Sequence, residues 1–390
     1  MDPMLANAVH IARYRSKNPL PNRSLDEVTP AYGAQEMVKL TRLLRHEDTM
    51  TRDQALIALV SALQKPQLRA SGVHAGLVGA LQANLEDASL MVRAHTGDAI
   101  EALAKHPLGT AAIVAAGTHA ELIKLIDDSE ATVRTSAYKA LLAIATTVAG
   151  APGGRGWSGN TMDSGGGGGA GALTDCPGFV SKLVSKCLYE PELMQPFAFE
   201  LFGVLLQQTK AVDFALLSTP PAIETMVQFL DSPEVSVRQK AANCMSALTF
   251  PTHAKPMATS AGAIEKLVAL LSDTDFQCRS AAASALSSIM VDEKAREHCA
   301  ANTPLISVLP TLCADPYDQV QLFAVKLLAV FLERPEWRNT LRETCQPILE
   351  GIVSSYNPAA TDMTRTKPFL ARSAERTLPL FNKVGEPNAF

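Results

Sequence analysis

Aromatic residues are scarce in this chain, 5% of 390, with only two tryptophans, Trp157 and Trp337. A core must therefore be built from aliphatic side chains, and alanine and leucine dominate. Long apolar runs are missing too, so no membrane span is expected. Met1-Asp2-Pro3-Met4 has no apolar stretch behind it of the kind a secretory leader carries. No alternating stretch long enough for a β-sheet is present. A surplus of one charge is also lacking, since 35 basic and 39 acidic residues leave a net charge of −4. Phosphate backbones call for concentrated positive charge, so nucleic acid is not the expected partner.

Chemistry-bearing motifs are absent as well. The glycine run Gly165–Gly169 has no Lys-Ser or Lys-Thr behind it and no strand before it, which excludes a phosphate loop and a dinucleotide fingerprint. There is no Gly-x-Ser-x-Gly turn, and the eight histidines, among them His74, His95, His106 and His119, lack His-Glu-x-x-His spacing. The seven cysteines, Cys176, Cys187, Cys244, Cys278, Cys299, Cys313 and Cys345, show no Cys-x-x-Cys pair, and their number is odd. They read as small core residues kept reduced. No catalytic residue, metal ligand or cofactor is expected, and the chain is not read as an enzyme.

What is present is a period. Arg52, Arg93, Arg134, Arg238 and Arg279 are separated by 41, 41, 104 and 41 residues, and 104 is twice 41 plus 22. A period of this length marks a helical solenoid of the armadillo or HEAT type. Around Arg238, Ile223, Met226, Val227 and Leu230 form one helical stripe, and Val237, Ala241, Met245 and Leu248 form another. Ser232 suits a helix N-cap between them and Pro233 a first helical position. Similar text follows Gly33, Gly72, Gly117 and Gly262. A late copy has Gln321 in the arginine position, and a copy beginning at Glu190-Pro191 has Phe197 there. This makes seven repeats over about 32–332.

The expected architecture is an all-α, right-handed superhelix. Residues 1–31 read as an extended basic arm, 32–149 as repeats 1–3, 150–172 as a glycine-rich flexible insertion and 173–332 as repeats 4–7. Residues 333–390 read as C-terminal capping helices and tail, because a final repeat would otherwise expose apolar surface. Pro379 should shorten or kink the last helix.

Two readings of the repeated arginines stand side by side. They could form a cationic ladder for a partner, or each could pair at a helix start with an acid of its own or the next repeat and serve stacking. The candidate partner-binding groove is read on the last helix of each unit, at Asp98, Lys139, Asn243, Ser284 and Lys326.

Beyond the repeat grammar, the stretch from Ala31-Tyr-Gly-Ala-Gln-Glu-Met-Val to Leu44 resembles the radial spoke head 14 family of armadillo proteins. Thr51-Arg-Asp-Gln-Ala-Leu-Ile-Ala-Leu59 and Leu63-Gln-Lys-Pro66 extend the similarity, which covers about 31–385. The 150–172 insertion and the N-terminal extension depart from the family. The resemblance implies a non-enzymatic component of the axonemal radial spoke in the cytoplasm of cilia and flagella, with other spoke subunits as partners. Two further armadillo classes remain open. A nuclear import adaptor needs repeated tryptophan and asparagine on its groove helices, which this chain lacks. A chaperone nucleotide-exchange cofactor uses fewer repeats.

Overall fold

The computed structural model describes residues 35–147, 168–356 and 366–382. Among these the chain is helical throughout, with no strand. Seven helices recur at the period of the sequence: α1 (Thr49–Ala62), α2 (Leu90–Ala104), α3 (Ala131–Thr146), α4 (Gln195–Leu205), α5 (Val235–Leu248), α6 (Phe276–Ile289) and α7 (Asp318–Phe331). Each packs on the next, making a ladder that runs the length of the solenoid. The contact is close because small residues face it. A Cβ on Gly97 of α2 would lie 2.6 Å from Ser136 Oγ of α3, and Ala241, Ala242, Ala282, Ala283 and Ala285 are fully buried.

Two helices precede each ladder helix in repeats 2–7, as Pro66–His74 and Leu77–Asn84 precede α2. The stripes visible in the sequence belong to the second and third helices. The first is short and holds few apolar residues in phase, so its pattern is weak. The turn between first and second helices uses Gly76, Gly117, Gly178 and Gly262, all at φ between 72 and 75°, a region that costs L-residues but not glycine. Gly72 is not one of them. It lies in the preceding helix, where its missing side chain admits Leu77.

Two helix starts differ from expectation. α5 begins at Val235 with Glu234 in the cap position, not at Pro233, and Ser232 offers its carbonyl to Arg238. Asp275 caps α6 by accepting from Gln277 and Cys278, and Asp48 caps α1 by accepting from Thr51.

The insertion is shorter than 150–172 at its C-terminal side. Gly169–Thr174 is a helix, the first of repeat 4, with Ala170, Leu173 and Thr174 buried beneath α3. Glycine at 169 mimics loop composition, but here it allows close approach to Ile144. The rest of the insertion, 150–167, and the N-terminal arm lie outside the described residues.

At the C-terminal end, α8 (Pro335–Ser355) packs beside α9 (Lys367–Thr377), and α9 lies on α7 where an eighth ladder helix would stand. A 3-10 turn, Leu378–Asn382, passes through Pro379 and carries fully buried Phe381. Arg342 donates to the Phe381 carbonyl and ties this turn to α8. Six cysteines are buried, Cys176 is half-buried, and none forms a disulfide.

Candidate protein-interaction groove

Each repeated arginine stands in the first turns of a ladder helix and reaches in two directions. One nitrogen donates to carbonyls of the loop just before it: Arg93 to Asp87 O at 2.8 Å, Arg238 to Ser232 O at 2.8 Å, Arg279 to Asp273 O at 2.8 Å. The Nε side turns to a carboxylate of the following repeat. Arg52 meets Asp87 at 2.9 Å, Arg93 meets Asp128 at 2.8 Å, Arg238 meets Asp273 at 2.9 Å and Arg279 meets Asp315 at 2.9 Å. The guanidinium fork suits this double task because its donors are fixed in one plane. The structure thus places the five arginines between repeats, not along the groove.

The chain of pairs changes at the insertion. Arg134 turns to Glu190 at 3.3 Å, and its Nε has no hydrogen-bond acceptor among the described residues. Arg93, Arg134 and Arg279 each stand six residues after their loop acid. In repeat 4 the place of the arginine falls on Pro196 counted from Glu190 and on Ala198 counted from the start of α4, either side of Phe197, and no arginine stands there. The missing link is replaced from the other side: Lys240 of α5 donates to Pro196 O at 3.1 Å and pairs with Glu200 at 2.9 Å. In repeat 7, Gln321 donates to Asp315 O at 2.7 Å and keeps only the carbonyl half of the arginine's role.

These links titrate. The carboxyls of Asp128 and Asp273 are partly buried, which works to raise their pKa. Hydrogen bonds from Arg93 and the Glu130 amide, and from the Asp275 amide and Arg238, outweigh burial and hold them below the usual 3.8. A carboxyl with a depressed folded pKa contributes stability that is complete above its unfolded pKa, about 3.9. That stability is lost as pH falls through the folded value. The urea midpoint is therefore expected to hold from pH 7 to about pH 5 and to fall below about pH 4. A midpoint rising on acidification would contradict the pairing.

The ladder helices present one outward position per repeat: Ile57, Asp98, Lys139, Glu200, Asn243, Ser284 and Lys326. Asp98 is half-buried, and burial pushes its carboxyl pKa up against the opposing charges of Lys139 and His95. Lys139 is exposed, Asn243 is half-exposed, and neither has a hydrogen bond or ion pair among the described residues. Ser284 shares a 3.0 Å hydrogen bond with Ser246 of α5. The Lys326 side chain is exposed, its ammonium lies 4.9 Å from the Phe323 ring centroid, and partial desolvation there lowers its pKa. Beside Asp98, His95 Nδ1 sits 2.6 Å from Asp53 Oδ1 of α1.

Two positions of this line were missed in the sequence. Ile57 lies one period before Asp98, so the arithmetic alone reaches it. Glu200 lies 43 residues before Asn243, and repeat 4 is out of step with its neighbours, which hid it. Among the described residues no group of His, Cys, Asp and Glu is placed to hold a metal ion. No helix there is long and apolar enough to cross a membrane.

With this geometry in view, comparisons with known proteins agree on the fold. The model of the Armadillo/beta-catenin-like repeat matches residues 251–291, which hold all three helices of repeat 6. The chain is similar to a crystal structure of an engineered protein at TM-score 0.73 and 22% identity, covering 90% of this chain and 79% of that one. A second engineered protein is 22% identical over 75% of this chain and 95% of that one, but its TM-score of 0.39 carries no argument. The fold is an armadillo-type α-solenoid. An extended stack of this class works as a protein-interaction scaffold.

Proposed function

We propose that this protein is a non-enzymatic scaffold whose ladder-helix groove holds a segment of another protein, and that its setting is the axonemal radial spoke. The observation that carries the groove reading is the row of polar side chains with unmet capacity. Lys139, Asn243 and Lys326 project from α3, α5 and α7, every second helix of the packed ladder, and none of the three side chains is engaged by a hydrogen bond or ion pair of the described residues. A partner's carboxylates and backbone would supply what they lack. The spoke setting rests on the similarity of 31–44, 51–59 and 63–66 to the radial spoke head 14 family, and makes other spoke subunits the partners. Nucleic acid and membrane have no part in this reading.

The double substitution Lys139→Glu and Lys326→Glu tests it. Both side chains are exposed, so the melting temperature should stay within the shift that about 0.5 kcal/mol produces. Incorporation into axonemes should fall, because like charges against an acidic segment cost affinity and on-rate. Normal incorporation of the double variant would remove these two residues from the binding surface. If the protein captures partners through the groove yet is absent from isolated axonemes imaged by cryo-electron microscopy, the spoke setting fails and the scaffold stands.

A further inference from the structure

The rim of the solenoid at the start of the ladder helices carries an apolar series that the groove does not use. Leu193, Val235 and Phe276 each stand three residues after the loop position Glu190, Ser232 or Asp273, and Tyr317 continues the row in repeat 7. Leu193 is 89% exposed, Tyr317 47% and Val235 40%. Phe276 is half-buried and packs against the core, whereas the other three are exposed. In repeats 5–7 the row is joined in space. Phe276 and Tyr317 stack with ring centroids 4.3 Å apart, and the Cys278 thiol of α6 reaches Val235 O at 3.5 Å. At the other end Thr135 of α3 touches Met194, next to Leu193, at 3.3 Å.

We infer that this rim of repeats 4–7 is a second docking surface, and that its partner is a basic amphipathic α-helix with apolar residues at heptad spacing. Three observations select that occupant. Neighbouring packed helices lie about 8–10 Å apart, and two turns of an α-helix advance about 10.8 Å. One apolar side chain every seven residues can therefore meet Leu193, Val235 and the stacked Phe276–Tyr317 pair in turn. The rim also offers little backbone for an extended segment to bond. Asp275 closes the α6 amides of Gln277 and Cys278, and Asp273 accepts from the Asp275 amide. The loop carbonyls are taken by Arg238 and Arg279. A docking segment must therefore satisfy its own backbone, as a helix does. Finally, the charge beside the row is negative. The rim cations Arg134, Arg238 and Arg279 are paired with acids of the next repeat. Exposed Glu192 and Glu234 carry no ion pair among the described residues, so lysine or arginine flanking the partner's apolar stripe is favoured.

The surface stands apart from the groove, so failure of either reading leaves the other intact. The test uses the full chain and a fluorescein-labelled peptide about four heptads long, with leucine at every seventh position and lysine and alanine elsewhere. Binding is read by anisotropy against wild type, Leu193→Ser/Val235→Ser, Glu192→Lys/Glu234→Lys and Lys139→Glu/Lys326→Glu. The serine pair should weaken binding at least about tenfold. The lysine pair should weaken it and flatten its dependence on salt, and the groove pair should leave it within about twofold. A peptide with glutamate in place of lysine should bind more weakly to wild type. The inference is overturned if the lysine peptide does not bind wild type or the serine pair binds like wild type. It is equally overturned if the glutamate peptide matches the lysine peptide, or if the groove pair alone abolishes binding.

Discussion

Arg93→Ala is expected to destabilise the protein by about 3 kcal/mol, at the lower end of what breaking a buried ion pair costs. The substitution removes two hydrogen bonds to Asp128, at 2.8 and 3.2 Å, and two to the carbonyls of Asp87 and Ala88. It leaves the Asp128 carboxylate, with 9% of its side chain exposed, without its cation. The loss concentrates at one interface, because a solenoid's stability is a sum of repeats and nearest-neighbour terms. Repeats 1 and 2 should therefore exchange amide hydrogens faster than repeats 5–7. Arg93→Lys should recover little, since one ammonium cannot serve the carboxylate and two carbonyls in the arginine's planar geometry. Arg45→Ala is the control: Arg45 is exposed, makes no hydrogen bond or ion pair among the described residues, and should change stability by no more than about 0.5 kcal/mol. A urea midpoint for Arg93→Ala equal to that of Arg45→Ala would show that the arginine ladder carries no stacking energy.

Gly169→Ala should be nearly as damaging, by about 2–3 kcal/mol, the range of overpacking in a filled site. A Cβ at this position would lie 2.0 Å from the Ile144 carbonyl oxygen and 2.7 Å from Ile144 Cγ2. Backbone on one side and a core side chain on the other leave nothing to give way cheaply. The helix Gly169–Thr174 would have to lift from α3, exposing buried Leu173. Gly168→Ala is the matched control. Its φ of −90° suits any residue, and no atom of the described residues lies within 4 Å of the new Cβ, so its melting temperature should match wild type. Equal melting temperatures for the two variants would mean that repeat 4 does not begin at Gly169.

The second case shows how far composition can be trusted here. Gly165–Gly169 reads as one loop in the sequence, because periodicity is silent where side chains are absent. Packing divides it: Gly169 is required by the approach of Ile144, and only the neighbours in space say so. The same limit explains Phe197. The period of 41 was carried across the insertion, but repeat 4 is out of step: its loop and its helix start place the arginine's position on either side of Phe197.

The sequence by itself determined the helical class, the period and the apolar stripes of the second and third helices, because a repeated core contact imposes the same residue types in every copy. It also brought the five arginines to notice. Two readings of them were open, and three-dimensional placement chose between them. The partner of each arginine lies 35 or 36 residues away in ordinary repeats, as with Arg93 and Asp128, but 56 away at Arg134 and Glu190. Only the tertiary structure decided those pairings, the unpartnered state of Lys139, Asn243 and Lys326, and the line joining Leu193, Val235, Phe276 and Tyr317. The physical reason is the same throughout. A repeat's sequence records what its own helices need, whereas a pairing, a groove or a rim is made by neighbours, and neighbours are set by how the helices stack.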